Sequence, residues 1–452
     1  MSIVSPRSLF APFAAAAALV ALPALLSCQQ LNPRFCAGHP EDADCTRIAV
    51  DGGGCVSNAQ CPQLTPVCEI GRSMCVQCAA GRTAACTGAT PVCGVDDTCR
   101  SCALDTECAS LTCLPDGSCA SPLDVLHVSP TGTDVATCMP DDHCSLGRAL
   151  ALIDGTKSTI RLDPERYQLP ATLVLPDDLR LVGRGAVITR GGGAAGPTLI
   201  IPGSTHIAID YLTIEGGTGS DGHGISCANA QLTMRDVTIR GNAGVGIAAS
   251  NCALVISHSR IADNQDIGVL VSTGSLALTR SEVAHNRAGG LSLFRPAFDL
   301  ENNVIIGNGS SASAIGGAMI VSVVAPGDHV FAFNTIARNQ AIPGMTGGVF
   351  CAAVAVPVAM TSSIVYDNAT AAQVEGAGCN WAYSDIGPVS APGTGNITAA
   401  PQFLDPVHDN FHLQGSSPAR DAADPAATLA IDVDGDARPQ GARRDMGADE
   451  IK

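Results

Sequence analysis

The sequence predicts an all-β fold, a right-handed parallel β-helix solenoid with a capping helix, preceded by a small disulfide-rich repeat region. The first observation behind this prediction is a gapless repeat of 22 residues that begins at residue 232. The second is an asparagine that recurs in each repeat, and the third is that 15 of the 21 cysteines precede residue 120. A fixed period of this length, built from short β-rich segments, is typical of a solenoid.

Residues 1–27 are predicted to be a lipoprotein signal peptide. Arg7 is the only charged residue before a long apolar run, which ends at Ser27 and Cys28. That layout is typical of an export signal, and the ending Leu-Leu-Ser-Cys resembles a bacterial lipobox, in which the cysteine is lipidated. We therefore expect a lipid anchor at Cys28, with the membrane as a partner and the outer membrane or cell surface as the location. An ordinary signal peptide cut nearby is the alternative.

The cysteine count agrees with lipidation and indicates an oxidising compartment. An odd number is unusual for an exported protein, and removing Cys28 leaves 20 cysteines that can all pair. Residues 28–54 are predicted to be a linker, and residues 55–121 hold three units of four cysteines each. This array resembles the cysteine-rich stalk repeats of myxobacterial surface proteins. Zinc is the alternative, because two Cys-x-x-Cys pairs have a spacing close to that of a zinc ribbon; they are Cys75 with Cys78 and Cys99 with Cys102.

The charge balance excludes one class of partner. With 25 basic and 42 acidic residues the net charge is −17, so the basic clusters that bind a nucleic acid backbone are missing. A polyanionic glycan would be repelled unless calcium bridged it.

Residues 122–390 are predicted to be the β-helix with its N-terminal cap. Apolar residues alternate within each repeat, as in Leu232 and Met234 and then Val237 and Ile239, so strands supply them. Stacked asparagine side chains can bond from coil to coil, and glycines that open the next strand are expected to supply left-handed corners. The asparagines are Asn242, Asn264, Asn286, Asn308, Asn339 and Asn368, and the glycines are Gly224, Gly246, Gly268, Gly290, Gly317 and Gly348.

The six cysteines beyond residue 120 fall as three pairs. Cys227 and Cys252 are one coil plus three residues apart, which predicts a disulfide between adjacent coils. The same spacing argument, with longer loops, pairs Cys351 with Cys379. Cys138 and Cys144 form the third predicted pair.

Residues 122–390 resemble the parallel β-helix repeat family. The stretch CSLGRALALIDGTKSTIRL resembles the beginning of such surface proteins, and its apolar residues Leu146, Ala149, Leu150 and Ile153 fit a short helix that caps the open end. An uncovered end would present unpaired strand edges. Residues 391–452 resemble the C-terminal segment of many exported β-helix proteins and are predicted to form a second cap.

The stretch SDGHGISC offers the first candidate catalytic residue, His223. Polygalacturonases, which are glycosidases on a β-helix, carry a similar Gly-His-Gly string. Aligned to the repeat, however, His223 falls where Val245, Ile267 and Gly289 fall, a corner position with no required residue type. The paired carboxylates that hydrolysis needs are not arranged around it in the family's pattern, so we interpret the string mainly as part of a coil.

Charged and titratable residues spaced 22 positions apart offer a second candidate site. Asp236, His258 and Arg280 share one column, and Arg260 and Glu282 share the column two residues along, which we expect on the same strand face. These residues could form a solvated ladder of opposite charges. They could also form the active site of a β-elimination lyase, with Arg260 or Arg280 as the base and Asp236 or Glu282 as a calcium ligand.

Calcium is the one cofactor that the sequence suggests. Asp432, Asp434 and Asp436 resemble part of a calcium-binding loop, although Ala437 stands where an EF-hand requires glycine. The alternative is a tight turn in which Arg438 pairs with an aspartate.

Taken together, these features predict a surface lipoprotein whose β-helix binds a ligand or mediates adhesion at the envelope. A glycan is the ligand that we expect, without turnover. The alternative is an enzyme, a lyase or glycoside hydrolase that acts on uronate-containing polysaccharides.

Overall fold

The structure, a computed structural model, describes residues 55, 57–79, 85–321, 329–352, 357–369, 372–389 and 391–452. The predicted signal peptide, Cys28 and the linker therefore lie outside the described residues. Within those residues, no helix has the length and apolar character needed to cross a membrane. The described residues divide between two compact units. The first extends to Ala85 and includes Cys93–Thr98, and the second contains Cys86–Val92 and Cys99–Lys452.

Disulfides join all twelve cysteines of the three cysteine-rich repeats. The first cysteine of each four bonds to the third and the second to the fourth, with Cα separations of 5.4–5.9 Å. The bonds are Cys55–Cys68, Cys61–Cys75, Cys78–Cys93, Cys86–Cys99, Cys102–Cys113 and Cys108–Cys119. All four cysteines of the zinc-ribbon alternative are among them, so that alternative is wrong.

Short elements accompany these disulfides. The strands are β1 (Val67–Glu69), β2 (Met74–Val76), β3 (Val92–Cys93) and β4 (Cys99–Arg100), and β1 pairs antiparallel with β2. Single 3₁₀ turns span Asn58–Gln60 and Asp105–Glu107.

A parallel β-solenoid makes up most of the second unit, which confirms the predicted fold class. Twenty-six strands belong to one continuous hydrogen-bonded system in which each strand pairs with its counterpart in the next coil. They are β5 (Val125–Thr133), β6 (Thr159–Leu162), β7 (Arg166–Leu169), β8 (Leu173–Val174), β9 (Leu179–Arg190), β10 (Leu199–Ile201), β11 (His206–Glu215), β12 (Ile225–Ala228), β13 (Gln231–Arg235), β14 (Thr238–Arg240), β15 (Ile247–Ser257), β16 (Arg260–Ala262), β17 (Ile267–Thr279), β18 (Glu282–Ala284), β19 (Gly289–Phe294), β20 (Ala297–Glu301), β21 (Val304–Ile306), β22 (Ala318–Val321), β23 (Val330–Ala332), β24 (Thr335–Ala337), β25 (Val349–Ala352), β26 (Val358–Thr361), β27 (Ile364–Tyr366), β28 (Val374–Glu375), β29 (Cys379–Ala382) and β30 (Asp385–Gly387).

The 22-residue period appears directly in the strand register. Ile247 lies opposite Val269, and Val269 lies opposite Leu291, so side chains of one type stack from coil to coil. Because side chains alternate across a strand, the inward ones form a single apolar core that runs from Leu126 to Ile386.

The asparagine ladder is present and buried, as predicted. Each amide nitrogen donates to the side-chain oxygen of the next asparagine, at 2.8–3.0 Å along the series from Asn242 to Asn368. Gln373 accepts the last of these bonds. A second ladder, which the sequence did not reveal, runs through another corner, where a side-chain oxygen accepts from the backbone N–H one coil earlier. Its members are Ser259, Ser281, Asn303, Asn334, Ser363, Ser384 and Asn396.

The expectation that the strand-opening glycines supply left-handed corners is wrong. Gly224 and its equivalents do not have a positive φ. A Cβ at Gly224 would lie 2.5 Å from Ile239 Cγ2 and 2.7 Å from the Gly246 carbonyl oxygen, so glycine is required by close approach between coils. The left-handed corners are instead occupied by other residues, including Asp236 and His258.

Caps cover both ends of the solenoid. Helix α1 (Leu146–Leu150) lies at the N-terminal end, where Ser145 Oγ accepts from the Arg148 N–H at 3.0 Å. Ala149 is fully buried, and Leu146, Leu150 and Ile153 pack against the core, as the sequence predicts. At the other end, β31 (Phe403–Asp405) and β32 (Asn410–Leu413) form an antiparallel hairpin with a 3₁₀ turn at Pro406–His408.

The three disulfides predicted beyond residue 120 are confirmed. The Cα separation is 4.6 Å for Cys138–Cys144 and 6.3 Å for Cys227–Cys252. It is 5.8 Å for Cys351–Cys379. The second of these joins adjacent coils, because Cys227 lies opposite Ala249 and Cys252 lies opposite Gly274.

The third cysteine-rich repeat, residues 102–119, belongs to the same compact unit as the solenoid rather than ending before it. Arginines from three coils of the solenoid bind it through backbone carbonyls and one carboxylate. Arg161 donates to the Leu111 carbonyl at 2.8 Å, and Arg235 donates to the Pro115 carbonyl at 2.8 Å. Arg184 pairs with Asp105 at 3.1 Å. This repeat is therefore fixed against one side of the β-helix.

Candidate functional site

Five of the six candidate catalytic residues lie together on one side of the solenoid. Asp236, His258 and Arg280 occupy equivalent corners of successive coils, with φ of 56°, 49° and 48°. They lie between two strands rather than on the strand face that the sequence analysis expected, because the left-handed residue turns the chain there. Arg260 and Glu282 begin the strands that follow, and they are paired in register.

His223, the sixth candidate, lies elsewhere. It occupies the corner position equivalent to residue 245, as the repeat alignment predicts, and its Nδ1 accepts the N–H of Val245 at 3.1 Å. That bond links two coils. The ring is half-buried, and burial lowers its pKa, while Asp221 and Asp266 oppose the change.

The C-terminal cap supplies the opposite wall of a groove of about 560 Å³ over these corners. Asp409 and His412 come from the hairpin end, and Val433, Asp434 and Asp449 come from the last segment of the chain. The structure thus brings Asp434, a predicted calcium ligand, beside the predicted catalytic residues. We refer to this cavity as the corner groove.

The surroundings of His258 favour its neutral form. Burial lowers the pKa of its imidazole below the ordinary 6.5, and the nearby cations Arg280 and Arg235 lower it further. Asp236, with its Oδ1 3.9 Å from His258 Nδ1, opposes this change. A neutral imidazole in a polar groove can accept a proton near neutral pH.

The surroundings of His412, on the facing wall, favour its charged form. Asn410 Oδ1 accepts the backbone N–H of His412 at 3.2 Å and lies 2.7 Å from its Nδ1, so Nδ1 carries a hydrogen. Nε2 lies 2.7 Å from Asp434 Oδ2 and therefore also carries a hydrogen in this arrangement. Burial lowers the pKa of His412, but the hydrogen bond to Asp434 and the charges of Asp449, Asp434 and Asp432 outweigh it and raise the pKa.

Most carboxylates of the corner groove have a partner of their own. Glu282 Oε1 lies 3.0 Å from Arg260 Nε, Asp409 Oδ2 lies 2.8 Å from the Nε2 of His285, and Asp434 pairs with His412. Arg280 differs. Its Nε donates to the Val433 carbonyl at 3.3 Å, and among the described residues no carboxylate lies within 4.0 Å of it. Arg280 is therefore the cation best placed to meet an anionic ligand.

The three predicted calcium ligands each have protein partners. Asp432 is fully buried, and its Oδ1 accepts three backbone N–H groups within the turn, from residues 434, 435 and 436. Asp434 bonds His412, and Asp436 lies 2.9 Å from Lys452 Nζ. These contacts favour the alternative that the sequence also offered, a tight turn in the cap.

Arg438 anchors that turn, but its partner is not the predicted aspartate. Its guanidinium is buried and lies 3.2 Å from Glu450 Oε2. It also donates to the carbonyls of residues 445 and 447 and stacks 4.7 Å from the Phe333 ring centroid. The C-terminal motif that the sequence analysis singled out therefore has a structural role, since it fixes the cap on the last coils.

One group in the corner groove has the donor set of a metal site. Ligand atoms of His412, Asp434 and Asp449 lie within 4.8 Å of one another. A divalent cation there would take the place of the Nε2 hydrogen that now bonds Asp434, so the same histidine cannot be a proton donor while it ligates a metal.

Sequence reasoning missed the cap half of the corner groove. His412 is 154 positions from His258, and a repeat alignment carries no information on where a non-repeating tail folds back. The signal that could have found it was the run of polar residues in HDNFH and GADE, in a segment predicted only to be a cap.

The match to a family model agrees with the fold. Two overlapping segments, residues 193–324 and 223–385, match the family described as "Right handed beta helix region". No curated protein matches the sequence. Pectate lyase Pel9A is a similar solved structure, with a TM-score of 0.44 and 12% identity over 73% of this chain and 96% of that chain.

Two further structures are similar over smaller shares of this chain. Pectin methylesterase PemA from Erwinia chrysanthemi has a TM-score of 0.33 and 14% identity, over 64% of this chain and 98% of that chain. The A-module of mannuronan C-5 epimerase AlgE6 from Azotobacter vinelandii has a TM-score of 0.35 and 18% identity, over 53% of this chain and 68% of that chain. The family match over residues 193–385 lies within the parallel solenoid, which extends from Val125 to Gly387.

Proposed function

We propose that this protein cleaves a uronate-containing polysaccharide by β-elimination in the corner groove. One observation carries the proposal: two histidines line the same groove, and their surroundings shift their pKa values in opposite directions. Two titratable groups whose pKa values are pushed apart are the usual basis of acid and base assignments. The fold alone supports no activity, because parallel β-helices can carry unrelated functions.

The assignment of roles follows from the charges. Neutral His258 is the base that removes the proton from the carbon beside the uronate carboxylate. Arg280 neutralises that carboxylate and stabilises the negative charge that develops on it. The electron pair of the broken C–H bond forms the ring double bond, the glycosidic C–O bond breaks, and His412 gives its proton to the leaving oxygen. This assignment places the base on a histidine instead of on Arg260 or Arg280.

The acidic character of the chain does not oppose an acidic substrate at this position. The carboxylates nearest the groove are mostly engaged with cations or with backbone N–H groups, as Asp449 is with the Leu413 N–H at 2.7 Å. Burial, in addition, raises the pKa of Asp449. The substrate carboxylate would thus meet Arg280 in a locally compensated environment.

Substitution of the proposed acid, base and cation tests this function. The purified full-length protein is incubated with a panel of uronate polymers, and unsaturated chain ends are measured by absorbance. His258→Gln and His412→Asn should each lower turnover by roughly 10²- to 10⁴-fold, the usual contribution of a general acid or base. Arg280→Gln should lower it as well.

Matched controls are available on the same solenoid. His206 is 58% exposed and lies outside the corner groove, so His206→Gln should leave turnover unchanged, as should Arg287→Gln. If a control variant lost as much turnover as the corresponding variant of the groove, the loss would reflect a general effect on folding and would contradict the assignment.

A second candidate function is glycan binding without turnover, at the cell surface. The column of residues 236, 258 and 280 favours it, because its carboxylate and guanidinium, two coils apart, can bind a charged chain without chemistry. Saturable binding of a uronate polymer with no unsaturated ends, at any pH, would support this candidate over the lyase.

We also propose that Cys28 carries a lipid that anchors the protein at the outer membrane or cell surface. The Leu-Leu-Ser-Cys ending and the odd cysteine count support this proposal. Cys28→Ala should release the protein from membranes, and a variant that still fractionates with them would contradict it.

A further inference from the structure

The corner that bears the candidate site runs almost the full length of the solenoid, and its middle lines the corner groove. In register along the axis, its residues are Arg184, Tyr211, Asp236, His258, Arg280, Asn302, Phe333 and Ser362. The corner groove covers the three central positions, Asp236, His258 and Arg280. What lies on either side of them decides which ligands fit.

The third cysteine-rich repeat closes the N-terminal side. Arg184 pairs with Asp105, donates to the Cys113 carbonyl at 3.2 Å and stacks 3.8 Å from the Tyr211 ring centroid. Arg235, next to Asp236, donates to the Pro115 carbonyl. The repeat therefore occupies the corner up to the edge of the groove.

The C-terminal cap closes the other side. Asn302 donates to the Ile431 carbonyl at 2.7 Å, and Arg438 stacks on Phe333. Ser362 accepts the Asp424 N–H at 3.0 Å through its hydroxyl. Arg280, the last open position, already donates to the Val433 carbonyl.

We infer that the corner groove takes a short oligosaccharide or the end of a chain, and that a long polymer cannot lie along the solenoid through it. The open stretch from Asp236 to Arg280 spans two coil spacings of ~4.8 Å, which is ~10 Å between the two walls. The inference rests on the proposed function only in taking uronate sugars as the ligand. The third cysteine-rich repeat is then a wall that sets substrate length.

Binding of uronate oligosaccharides of defined length tests this inference. Isothermal titration is carried out with di-, tri-, tetra- and hexasaccharides, on full-length protein that carries His258→Gln so that the ligands are not consumed. The affinity should level off after the trisaccharide, and the Kd of the hexasaccharide should differ from that of the trisaccharide by less than about tenfold. A Kd that falls steadily up to the hexasaccharide would overturn the inference.

A substitution that removes one charge but keeps the shape of the side chain tests the wall itself. Asp105→Asn removes the ion pairs with Arg161 and Arg184 and keeps an oxygen for the Cys113 N–H. Added to His258→Gln, it should loosen the repeat and make the hexasaccharide bind more tightly than the trisaccharide. Asp116→Asn is the control, since Asp116 bonds Ser118 within the repeat, and it should leave the two equal.

The two proposals fail in different ways. If none of the oligosaccharides binds, the proposed function is contradicted. If they bind, and the affinity increases with length up to the hexasaccharide even when Asp105 is unchanged, the proposed function stands and the length limit is wrong.

Discussion

At the scale of single residues, the local environment alone gives two histidines of the corner groove different pKa values. Both side chains are half-buried, but His258 lies beside Arg280 and Arg235, whereas His412 faces Asp434 and Asp449. The first pKa therefore falls below 6.5 and the second rises above it. Sequence could identify His258 through its column, but it could not assign either protonation state, because both depend on contacts between the solenoid and the cap.

These shifts predict a bell-shaped pH profile for kcat/KM. The base must be deprotonated, so activity should fall as the pH drops through a value below 6.5. The acid must be protonated, so activity should fall again as the pH rises through a value above 6.5. In the His258→Gln variant, the residual activity should no longer fall at acidic pH. Activity that keeps rising into the alkaline range would contradict the role of His412.

A second titrating residue bears on stability. Asp385 is fully buried near the end of the solenoid, and neither of its carboxylate oxygens has a hydrogen-bond partner among the described residues. Burial raises its pKa from 3.8 to about 7. Between these values the folded protein holds a proton that the unfolded chain has released, so stability falls as the pH rises from about 4 to about 7.

Asp385→Asn should therefore stabilise the protein at pH 7.5 by up to about 4 kcal/mol and have little effect at pH 3.5. The measurement is the free energy of unfolding in denaturant at the two pH values. Asp367→Asn is the control, because Asp367 is exposed and directly follows β27, the strand that pairs with the strand of Asp385. A gain of equal size at both pH values would show that the effect does not come from ionisation.

At the scale of elements, the coils are joined by side-chain ladders as well as by the backbone. Asn286 is fully buried and donates to the Ile261 carbonyl and to Asn308 Oδ1, each at 2.9 Å. Its Oδ1 accepts from Asn264 Nδ2 at 2.8 Å. The sequence predicted this ladder because asparagine recurs without exception, but the serine and asparagine ladder stayed hidden since its residue type changes from coil to coil.

Asn286→Ala should lower the free energy of unfolding by roughly 1–3 kcal/mol, because the amides on both sides lose a buried partner. Arg287→Ala, at the exposed neighbouring position, should change it by less than about 0.5 kcal/mol. Thermal and denaturant unfolding of the two variants provide the comparison. Equal effects would mean that the ladder adds nothing to stability.

At the scale of the whole molecule, the repeat predicted the solenoid and the cysteine pairs, and the non-repeating parts completed the site. The period placed Asp236, His258 and Arg280 in one column, which the structure shows to be a corner. It could not show that residues 102–119 and 409–449 would cover that corner on either side, because their contacts depend on tertiary packing of segments without periodicity. The sequence therefore predicted the residues that the solenoid contributes to the candidate site but not those that the cap contributes.

The central claim, elimination in the corner groove, is tested most directly by digestion of a uronate polymer in ¹⁸O-labelled water. Elimination adds no water across the glycosidic bond, so mass spectrometry of the products should show unsaturated ends and no incorporated label. Hydrolysis would place one labelled oxygen on each new reducing end. Labelled products, or products that persist unchanged in the His258→Gln variant, would contradict the account.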